Sequence, residues 1–422
     1  MGNNILKFIL DIGNSKIKML AGELSEDGSK LKILKHVEVD SEGIKKSIIE
    51  SPALLSESIR KAKELIEEDL KLNIEKVNLG IGGTKVCSRT TNIKLTFEEE
   101  KEIKESDLNK LYELAKEELK YSDEEILKKE YYNLRVDNAG IVKNPVGLSG
   151  KELQGDIHLV LTKSSDIEDL KEVVIRSGME IESICFNAYA ASRATLSFED
   201  KDKGVALIDI GEGTTDIIIY KNNKMIYVKS LSLGGMHYIS DLEYIYKISK
   251  EEALKIMDKA ISSNDLEETF IIGNRKVSTK NIIDAINART DDFVKFIRNT
   301  IQDSGFTGYL GKGICLTGGV TRIDETYDWI KGNLGYSVKR AYPISISGIE
   351  DSRPEMSVCI GILIEVMEEE YNKIEKNKKL KEKEEKALKQ DVIQKDNKEQ
   401  QLNKKIEKER FKKIKMWFSN FI

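Results

Sequence analysis

Short apolar runs of strand length alternate with amphipathic stretches over most of the chain. The apolar runs lie at residues 8–20, 77–83, 157–163, 207–220, 225–235 and 314–320. Between them, helical patterns are predicted near residues 53–70, 99–120, 166–179 and 280–303. Alternation of strands and helices along a chain is typical of α/β proteins, so the pattern predicts an α/β fold.

Two of the apolar runs resemble each other. FILDIGNSKIKML at 8–20 and LIDIGEGTTDIIIY at 207–220 both consist of an apolar strand, an Asp-Ile-Gly turn and a second strand. One such turn alone is commonly no more than a β-hairpin. Two copies, each opening about half of the folded region, predict a duplicated domain instead.

The residue types in these two turns suit a phosphate group. Glycine lets backbone N–H groups face a cleft without an obstructing Cβ atom, hydroxyl side chains add donors, and Lys16 brings a positive charge. Asp11 and Asp209 end their strands where a hard cation would lie, and Mg²⁺ favours one or two carboxylates plus water. The predicted phosphate-binding residues are Gly13, Asn14, Ser15, Lys16, Gly211, Gly213, Thr214 and Thr215, with Asp11 and Asp209 as the predicted Mg²⁺ site.

A third glycine-containing turn would serve the rest of a nucleotide. CLTGGVTRID at 315–324 predicts a strand that runs into Gly318, Gly319 and Val320 and then into a helix. A backbone without Cβ atoms can approach a planar base or a ribose closely. This segment is therefore predicted to bind the nucleoside.

Two weaker signals lie between the second and third turns. Gly234 and Gly235 form a Gly-Gly turn after an apolar strand, and Glu252 and Lys255 stand three apart on a predicted helix. The Glu-Lys pair could hold ribose hydroxyls, although such a pair on a helix is most often a surface salt bridge.

The order of these motifs resembles that of the actin/Hsp70-type ATPases, and within that superfamily the chain resembles the FtsA family of bacterial cell-division proteins. The most specific stretch is IVKNPVGLSGKELQGDIHLV at 141–160, which is similar to the far end of the FtsA inserted subdomain. The similarity continues through LIDIGEGTTD, SLGGMHYISDL, CLTGGVTRI and the C-terminal tail. It covers nearly the whole chain and implies ATP and Mg²⁺ as ligands.

The resemblance also implies an actin-like duplicated ATPase fold with an inserted subdomain, followed by a charged linker and a C-terminal amphipathic helix. The expected boundaries are a first large subdomain at 1–83, 166–200 and 346–367, which includes a returning helix at 357–366; an inserted subdomain at 84–165; a second large subdomain at 201–240 and 308–345; a small subdomain at 241–307; a flexible linker at 368–408; and a membrane-targeting helix at 409–422.

The chain departs from the resemblance at two positions. Glu212 stands in the second phosphate turn where many relatives have glycine, and a carboxylate there either turns away from the phosphates, which we favour, or weakens their binding. Asn187 stands near the position where chaperone relatives carry an acidic residue that helps position Mg²⁺ and water. An amide can orient water but cannot act as a base, which leaves Asp209 as the better candidate for polarising water. We therefore expect ATP binding with slow hydrolysis or none.

The C-terminal tail has the pattern of an interfacial membrane helix. On a helical wheel its apolar residues fall within an arc of roughly 140°, and basic residues lie opposite or flank them. The alternative is that this helix docks on the body of the protein or on a partner. The predicted membrane-binding residues are Arg410, Phe411, Lys412, Lys413, Ile414, Lys415, Trp417, Phe418, Phe421 and Ile422.

Composition narrows the remaining possibilities. A formal net charge of −5 argues against a general nucleic-acid binder, so no nucleic-acid partner is expected. The four cysteines are scattered, without metal-ligand spacing. The N-terminus lacks the features of a signal peptide and no apolar stretch approaches the length of a membrane span, which predicts a cytosolic chain with at most peripheral membrane contact.

The leading functional hypothesis is an ATP-binding protein that polymerises into actin-like filaments on the cytoplasmic membrane face at the division site. By the resemblance it would tether the ring of the tubulin-like protein FtsZ, binding the FtsZ C-terminal peptide near Arg289, and recruit later division proteins. The alternatives are an actin-like scaffold of pilus or secretion assembly, a sugar or acid kinase of the same fold, and an Hsp70-like chaperone ATPase. The kinase would need a carboxylate base and no amphipathic tail, and the chaperone would need a further β domain after residue 370.

Overall fold

The computed structural model of the chain describes residues 4–263, 265–272, 275–349, 352–378 and 408–409. These residues belong to two units, Met1–Val366 and Met367–Ile422. The first unit carries all the strands given below and the candidate site.

The strands and helices of the first unit follow each other in chain order with the following bounds. The strands are β1 Ile5–Ile12, β2 Lys16–Leu24, β3 Leu31–Asp40, β4 Ile44–Lys45, β5 Ile48–Ile49, β6 Lys76–Ile81, β7 Cys87–Glu102, β8 Glu124–Val136, β9 Ser149–Lys163, β10 Glu180–Phe186, β11 Val205–Ile210, β12 Thr215–Lys221, β13 Lys224–Leu231, β14 Thr269–Ile272, β15 Arg275–Ser278, β16 Ile314–Thr317 and β17 Val338–Arg340. The helices are α1 Pro52–Leu70, α2 Glu105–Leu119, α3 Ser164–Arg176, α4 Asn187–Thr195, α5 Phe198–Lys203, α6 Met236–Tyr246, α7 Lys250–Ser262, α8 Thr279–Asp303 and α9 Asp324–Asn333. Residues 357–366 are also helical and are named α10 here.

Two sheets repeat one topology. In the first sheet the strand order is β10-β6-β1-β2-β3, and in the second the order β17-β16-β11-β12-β13 is followed by β7-β9-β8. In each repeat the first three strands of the series, β1-β2-β3 or β11-β12-β13, form two antiparallel pairs. The other two strands, β6 and β10 or β16 and β17, add to the first strand of the series in parallel. The duplicated α/β organisation predicted from the two Asp-Ile-Gly turns is confirmed.

The inserted segment extends the second sheet. Strand β7 lies next to β13, where Cys87 is paired with Lys229, and β9 and β8 follow it. Helix α2 covers this extension, and their shared core includes Ile103, Leu111 and Ile157. The strands of the insertion therefore join the second half of the chain, although their sequence interrupts the first half.

Most of the predicted helices are confirmed, with one shift. The helix predicted near 99–120 begins only at Glu105, because residues 99–102 still belong to β7, where Lys101 and Glu102 pair with β9. The Lys104 backbone N–H donates to the Asp107 carboxylate at 3.0 Å and so marks the start of α2. The start of this helix is therefore set by a buried carboxylate that the charge pattern of the segment did not reveal.

Helix α10 packs closely on the first half because two glycines leave room for it. A Cβ atom on Gly361 would collide with the carbonyl oxygen of Ala190 in α4, and one on Gly22 would collide with the Leu363 side chain. The side chains of Cys359 and Ile362 are buried here. α10 therefore packs against α4 through Gly361 and against β2 through Leu363.

The second unit is described only in part. Residues 367–378 and 408–409 are helical, so the predicted linker, 368–408, begins in a helix. The rest of that linker, 379–407, lies outside the described residues, as does the predicted membrane helix from residue 410 onward. Among the residues that the structure describes, no helix is long and apolar enough to span a membrane.

Candidate functional site

One cavity of about 420 Å³ is bounded by the two repeated hairpin turns. Its walls come from both halves of the first unit and include β1, β2, β11, the segment after β16 and helices α4, α6 and α7. This volume is in the range of small-molecule sites, which are roughly 300–1,000 Å³.

The two turns have the same backbone geometry. The Gly13 N–H donates to the Lys16 carbonyl at 3.1 Å, and the Gly211 N–H donates to the Thr214 carbonyl at 2.9 Å. A Cβ atom on Gly13 would lie 2.7 Å from the Lys16 carbonyl oxygen, so this tight turn requires glycine.

The two turns face and contact each other through Asn14. A Cβ atom on Gly213 would collide with the Asn14 amide, whose Oδ1 would be 2.8 Å away. The Asn14 Oδ1 atom also accepts a hydrogen bond from the Ser47 N–H at 2.9 Å, which fixes the amide in place. A ligand that reaches both turns would therefore be held by both halves of the duplicated fold.

This contact can be tested by a double-mutant cycle. We expect Gly213→Ala to lower the free energy of unfolding by about 1–3 kcal/mol, since the new methyl group must displace a hydrogen-bonded amide. In an Asn14→Ala background the same change should cost less than about 0.5 kcal/mol. Denaturant unfolding of the unchanged protein, the two single variants and the double variant measures the coupling energy. Additive effects would show that the Asn14 amide does not occupy the space beside Gly213.

Next to each turn, residues paired across three adjacent strands form a row, and the two rows lie at equivalent positions of the two halves. Both rows carry charged side chains. In the first half Asp11 is paired with Lys18 across β1 and β2, and Lys18 with Glu38 across β2 and β3. The Lys18 Nζ lies 3.4 Å from an Asp11 oxygen. Burial opposes the charge on Lys18, but the carboxylates around it, Asp11 first, raise its pKa above the ordinary value.

In the second half the equivalent row carries two acids. Asp209 is paired with Asp216 across β11 and β12, and Ser230 donates to the Asp216 carboxylate. Burial raises the pKa of Asp209 to about 7, with Asp11 adding to the shift and Lys18 opposing it. Burial, with Asp209 and Asp11 adding to it, also raises the pKa of Asp216 well above its usual range. The second row therefore lacks the positive charge that the first row has.

These acids suit a hydrated divalent cation. Asp11 and Asp209 both line the cavity, and the raised pKa of Asp209 shows that its charge is poorly compensated. Among the described residues, no three acidic, histidine or cysteine side chains are grouped closely enough to hold a metal directly. The fit is to Mg²⁺ that keeps most of its water and contacts one or two carboxylates.

The third wall follows β16. Gly318 has a φ of 91°, and a Cβ atom on it would collide with the Asp209 carboxylate and lie 2.6 Å from the Ile210 carbonyl oxygen. Gly319 has no neighbouring atom within 4 Å of a Cβ position. Gly318 thus brings this wall against the second turn, whereas Gly319 leaves open space beside it.

Asn187, the first residue of α4, also lines the cavity. Cβ atoms on Gly80 and Gly82 would each come within 2.8 Å of its amide, so β6 and the residues after it leave space for this side chain. Its Oδ1 atom is buried and has no hydrogen-bonding partner among the described residues. Such an acceptor is available to a bound water or ligand.

Most of the predicted ligand-binding residues meet in this cavity. Those in its lining are Asp11, Gly13, Asn14, Ser15, Lys16, Asn187, Asp209, Gly211, Gly213, Thr214, Gly235, Gly318, Gly319 and Val320. Thr215 lies behind the wall, where its hydroxyl donates to the Leu233 carbonyl at 2.7 Å. Gly234 is also outside the lining, and its N–H lies 3.2 Å from Nδ1 of His237.

Glu252 and Lys255 are exposed on α7 and do not line the cavity. The Glu252 carboxylate instead accepts the Ser249 N–H at 3.0 Å and caps the helix. The residues by which α7 reaches the cavity are Leu254 and Met257.

Several cavity residues were not predicted from the sequence: Lys18, Glu38, Asp216, Arg322 and Glu355. Lys18 and Asp216 could have been found, because closing each turn fixes the cross-strand partner of each preceding aspartate. Glu38 and Glu355 could not, since they come from segments whose approach to the cavity depends on the tertiary fold.

Arg289 lies away from the cavity, on α8. Its guanidinium makes two bonds to Asp241 of α6, at 2.6 and 2.7 Å, and a third to Asp292 at 2.9 Å. Its contacts therefore tie α8 to α6, which suits a residue that supports a surface.

Two family models match the chain and together span more than half of its length. "Cell division protein FtsA" matches residues 206–361, and "SHS2 domain inserted in FTSA" matches residues 83–161. The chain is 28% identical to cell division protein FtsA of Borreliella burgdorferi over 382 residues, which cover 87% of this chain and 92% of that protein. It is 29% identical to cell division protein FtsA of Bacillus subtilis over 375 residues, with 86% and 84% covered.

Solved structures share the fold at low sequence identity. One from a PilM-PilN type IV pilus biogenesis complex has a TM-score of 0.61 at 12% identity and covers 86% of this chain and 98% of its own. MreB5 of Spiroplasma citri bound to ADP has a TM-score of 0.50 at 13% identity, with 85% and 95% covered. The fold is the actin-like ATPase fold, and the chain belongs to the FtsA family of cell-division proteins.

Proposed function

We propose that this chain is an ATP-binding cell-division protein that polymerises on the cytoplasmic face of the membrane and tethers the FtsZ ring there. The observation that carries the nucleotide part is the contact between the two glycine turns, where Asn14 lies against Gly213 over one cavity. Backbone N–H groups from both turns can then hold a chain of phosphates between the two halves.

The cavity residues take distinct parts in this proposal. The turns at Gly13 and Gly211 bind the phosphates, Lys18 and Lys16 offset their charge, and Gly318 to Val320 receive the nucleoside. Asp11 and Asp209 would hold a hydrated Mg²⁺, which neutralises phosphate charge. A solved neighbour of the same fold, MreB5, is described as bound to ADP, which supports a nucleotide in this position.

Slow hydrolysis is part of the proposal. Asn187 offers a free amide oxygen that can orient water but cannot take a proton from it. Asp209 is the better candidate for taking a proton from water, but its carboxylate is also proposed to hold the metal, which would make it a weaker base. Bound ATP would therefore persist and act as a structural ligand that holds the two halves together.

Membrane attachment is assigned to the tail, residues 410–422. Arg410 and its three lysines supply about 1 kcal/mol each near an anionic surface, and partial burial of the apolar face adds a few more. The total of roughly 6–8 kcal/mol corresponds to a dissociation constant between about 1 mM and 1 μM. One tail binds weakly, whereas a filament that carries many tails binds by avidity.

Partner binding is assigned to the face formed by α6 and α8. Arg289 joins these helices through Asp241 and so would support a groove for the FtsZ C-terminal peptide. Recruitment of later division proteins would follow once the filament is at the division site.

The proposal is tested by co-sedimentation with anionic vesicles in the presence of ATP and Mg²⁺. We expect the full chain to sediment with the vesicles and a chain ending at Glu409 to remain in solution, with at least a tenfold lower bound fraction. FtsZ should join the pellet only when the full chain is present.

A Trp417→Glu variant of the full chain is the matched control for the deletion, because it keeps the basic residues and removes one apolar anchor. It should bind nearly as poorly as the deletion. Equal sedimentation of all three proteins would contradict the assignment of the tail. Failure of the full chain to bind ATP in an equilibrium titration would contradict the nucleotide site.

A further inference from the structure

Strand β8 of the inserted segment has two faces with different surroundings. Tyr131 packs against the core that the insertion shares with α2, whereas Tyr132 packs against the core of the second half. Side chains alternate between the two faces of a strand, and β8 pairs with β9 without interruption from Lys128 to Tyr132. Lys128 and Glu130 therefore lie on the same face as Tyr132, the face turned towards the rest of the protein.

Lys128 contacts the first half of the fold. Its Nζ atom lies 2.9 Å from the Glu365 carboxylate of α10 and 3.6 Å from the centre of the Tyr189 ring of α4. The same carboxylate accepts hydrogen bonds from the Tyr189 hydroxyl at 3.0 and 3.1 Å and pairs with Arg193 at 3.2 Å. One carboxylate, only 19% exposed, thus joins the insertion to both α4 and α10.

Glu130 contacts the second half of the fold. Its Oε2 atom lies 3.1 Å from the Nζ atom of Lys224, the first residue of β13. The start of the insertion is attached to the same strand, because the Val228 N–H donates to the Ser88 hydroxyl at 2.7 Å. β8 therefore holds the first half through Lys128 and the second half through Glu130.

The two halves also contact each other directly near these ion pairs. The hydroxyl groups of Ser192 in α4 and Tyr220 in β12 lie 2.8 Å apart. Burial raises the pKa of Tyr220 above its ordinary value, and Tyr189 and Glu130 add to the rise, so both lie close to this hydroxyl. Helix α4, which begins at Asn187 in the cavity lining, thus runs from the cavity to the contacts made by β8.

Movement of one half against the other would strain the contacts of β8. Asn14 and Gly213 are in contact between the two turns, so a ligand held by both turns is released when the halves move apart. That movement changes the distance between Glu365 and Lys224. Because Lys128 and Glu130 belong to one paired strand, they cannot follow both partners, and one ion pair has to break.

We propose that β8 is a brace that resists separation of the two halves and thereby slows the release of bound nucleotide. The part of this inference that concerns release rests on the proposed nucleotide site. Coupling between two sites is reciprocal, so a ligand that displaces the insertion would also change the affinity for nucleotide.

The first test measures nucleotide release from the full chain. A fluorescent N-methylanthraniloyl derivative of ATP is bound in the presence of Mg²⁺ and displaced by excess ATP in a stopped-flow instrument. Lys128→Met and Glu130→Gln should each raise the dissociation rate constant three- to tenfold, because each breaks a partly buried ion pair at one end of the brace. The double variant should release no faster than the single variants, since either break is sufficient.

Lys129→Met is the matched control for this test. Lys129 is the next residue of β8, but its Nζ atom lies 4.0 Å from the centre of the Tyr112 ring of α2, within the insertion. This variant should release nucleotide at the rate of the unchanged protein. Thermal melting establishes that each variant is folded.

A second test needs no nucleotide. Nitroxide labels are placed on the two halves through Lys61→Cys in α1 and Asp328→Cys in α9, with the half-buried Cys87 and Cys185 replaced by serine. Double electron–electron resonance then gives the distribution of distances between the halves. The distribution should widen in the brace variants Lys128→Met and Glu130→Gln and stay as it is in the control variant.

The outcomes separate the two levels of the argument. If the unchanged protein does not bind the ATP derivative, the nucleotide site is wrong and the distance measurement alone decides whether β8 is a brace. If it binds, and Lys128→Met and Glu130→Gln release it at the unchanged rate, the nucleotide site stands and the effect of the brace on release is wrong. Unchanged distance distributions, or rate effects that multiply in the double variant, would show that the two ion pairs do not act as one brace.

Discussion

Gly318→Ala is expected to abolish nucleotide binding and to lower the free energy of unfolding by about 2–4 kcal/mol. The backbone at Gly318 has a φ of 91°, which is unfavourable for alanine, and the added methyl group would collide with the Asp209 carboxylate. It would also lie 2.6 Å from the Ile210 carbonyl oxygen, so neither strain nor overlap can be relieved by a side-chain rotation.

The next residue supplies the control for this prediction. Gly319→Ala changes the same motif by the same methyl group, but no atom lies within 4 Å of its Cβ position. We expect the free energy of unfolding of this variant to lie within about 0.5 kcal/mol of that of the unchanged protein, as is usual for surface substitutions. Equal losses in the two variants, measured by denaturant unfolding and ATP titration, would mean that the loop as a whole is sensitive and not the contact with Asp209.

Asp209→Asn is expected to stabilise the ligand-free protein at pH 8 and to do so less at pH 5. Burial raises the pKa of Asp209 from 3.8 to about 7, so between these values the folded chain holds a proton that the unfolded chain has lost. The free energy of unfolding therefore falls as pH rises through this window, and a neutral amide avoids the loss.

The expected size is set by the exposure of Asp209 to the cavity, where water screens part of the charge. A two-unit change in pH within the window corresponds to about 2.7 kcal/mol, which we reduce to about 1–2 kcal/mol for this reason. The measurement is thermal or denaturant unfolding in EDTA at pH 5 and 8. The same variant should lose Mg²⁺-dependent affinity for ATP, because the carboxylate that costs stability is the one proposed for the metal.

Asp328→Asn is the control, since Asp328 is exposed on α9 and away from the cavity. Its effect should be the same at both pH values. A stabilisation by Asp209→Asn that does not grow with pH would contradict the assignment of the raised pKa to this carboxylate. Together with Gly318→Ala, the result would show that one aspartate is held in an unfavourable position by a glycine-specific contact.

Ion pairs beside the cavity also connect the two halves of the fold. Arg322 of the second half pairs with Glu355 at 2.7 Å, Arg353 pairs with Glu355 at 3.3 Å and with Glu38 of β3 at 2.7 Å. The hydroxyl of Thr317, at the end of β16, donates to the Pro354 carbonyl at 3.1 Å. The segment before α10 is thus fixed to both halves beside the cavity, where a bound ligand would affect it.

The sequence by itself determined the parts of this protein that depend on local chemistry. Two Asp-Ile-Gly turns predicted a duplicated α/β fold, since hairpins are specified by their own residues. The glycines at 13, 211, 213 and 318 were recognised because a backbone without Cβ atoms can approach a phosphate or a nucleoside closely. Lys18 and Asp216 were within reach of the same argument, because hairpin register follows from the turn.

Only the tertiary structure decided which residues from distant segments meet. It placed Glu38 and Glu355 at the cavity and kept Glu252 and Lys255 outside it, because α7 presents Leu254 and Met257 on the inward face. It also decided that Asn14 fills the space above Gly213 and that Asp209 is buried enough to raise its pKa. Burial and long-range contacts are properties of the packed chain, and local sequence patterns do not contain them.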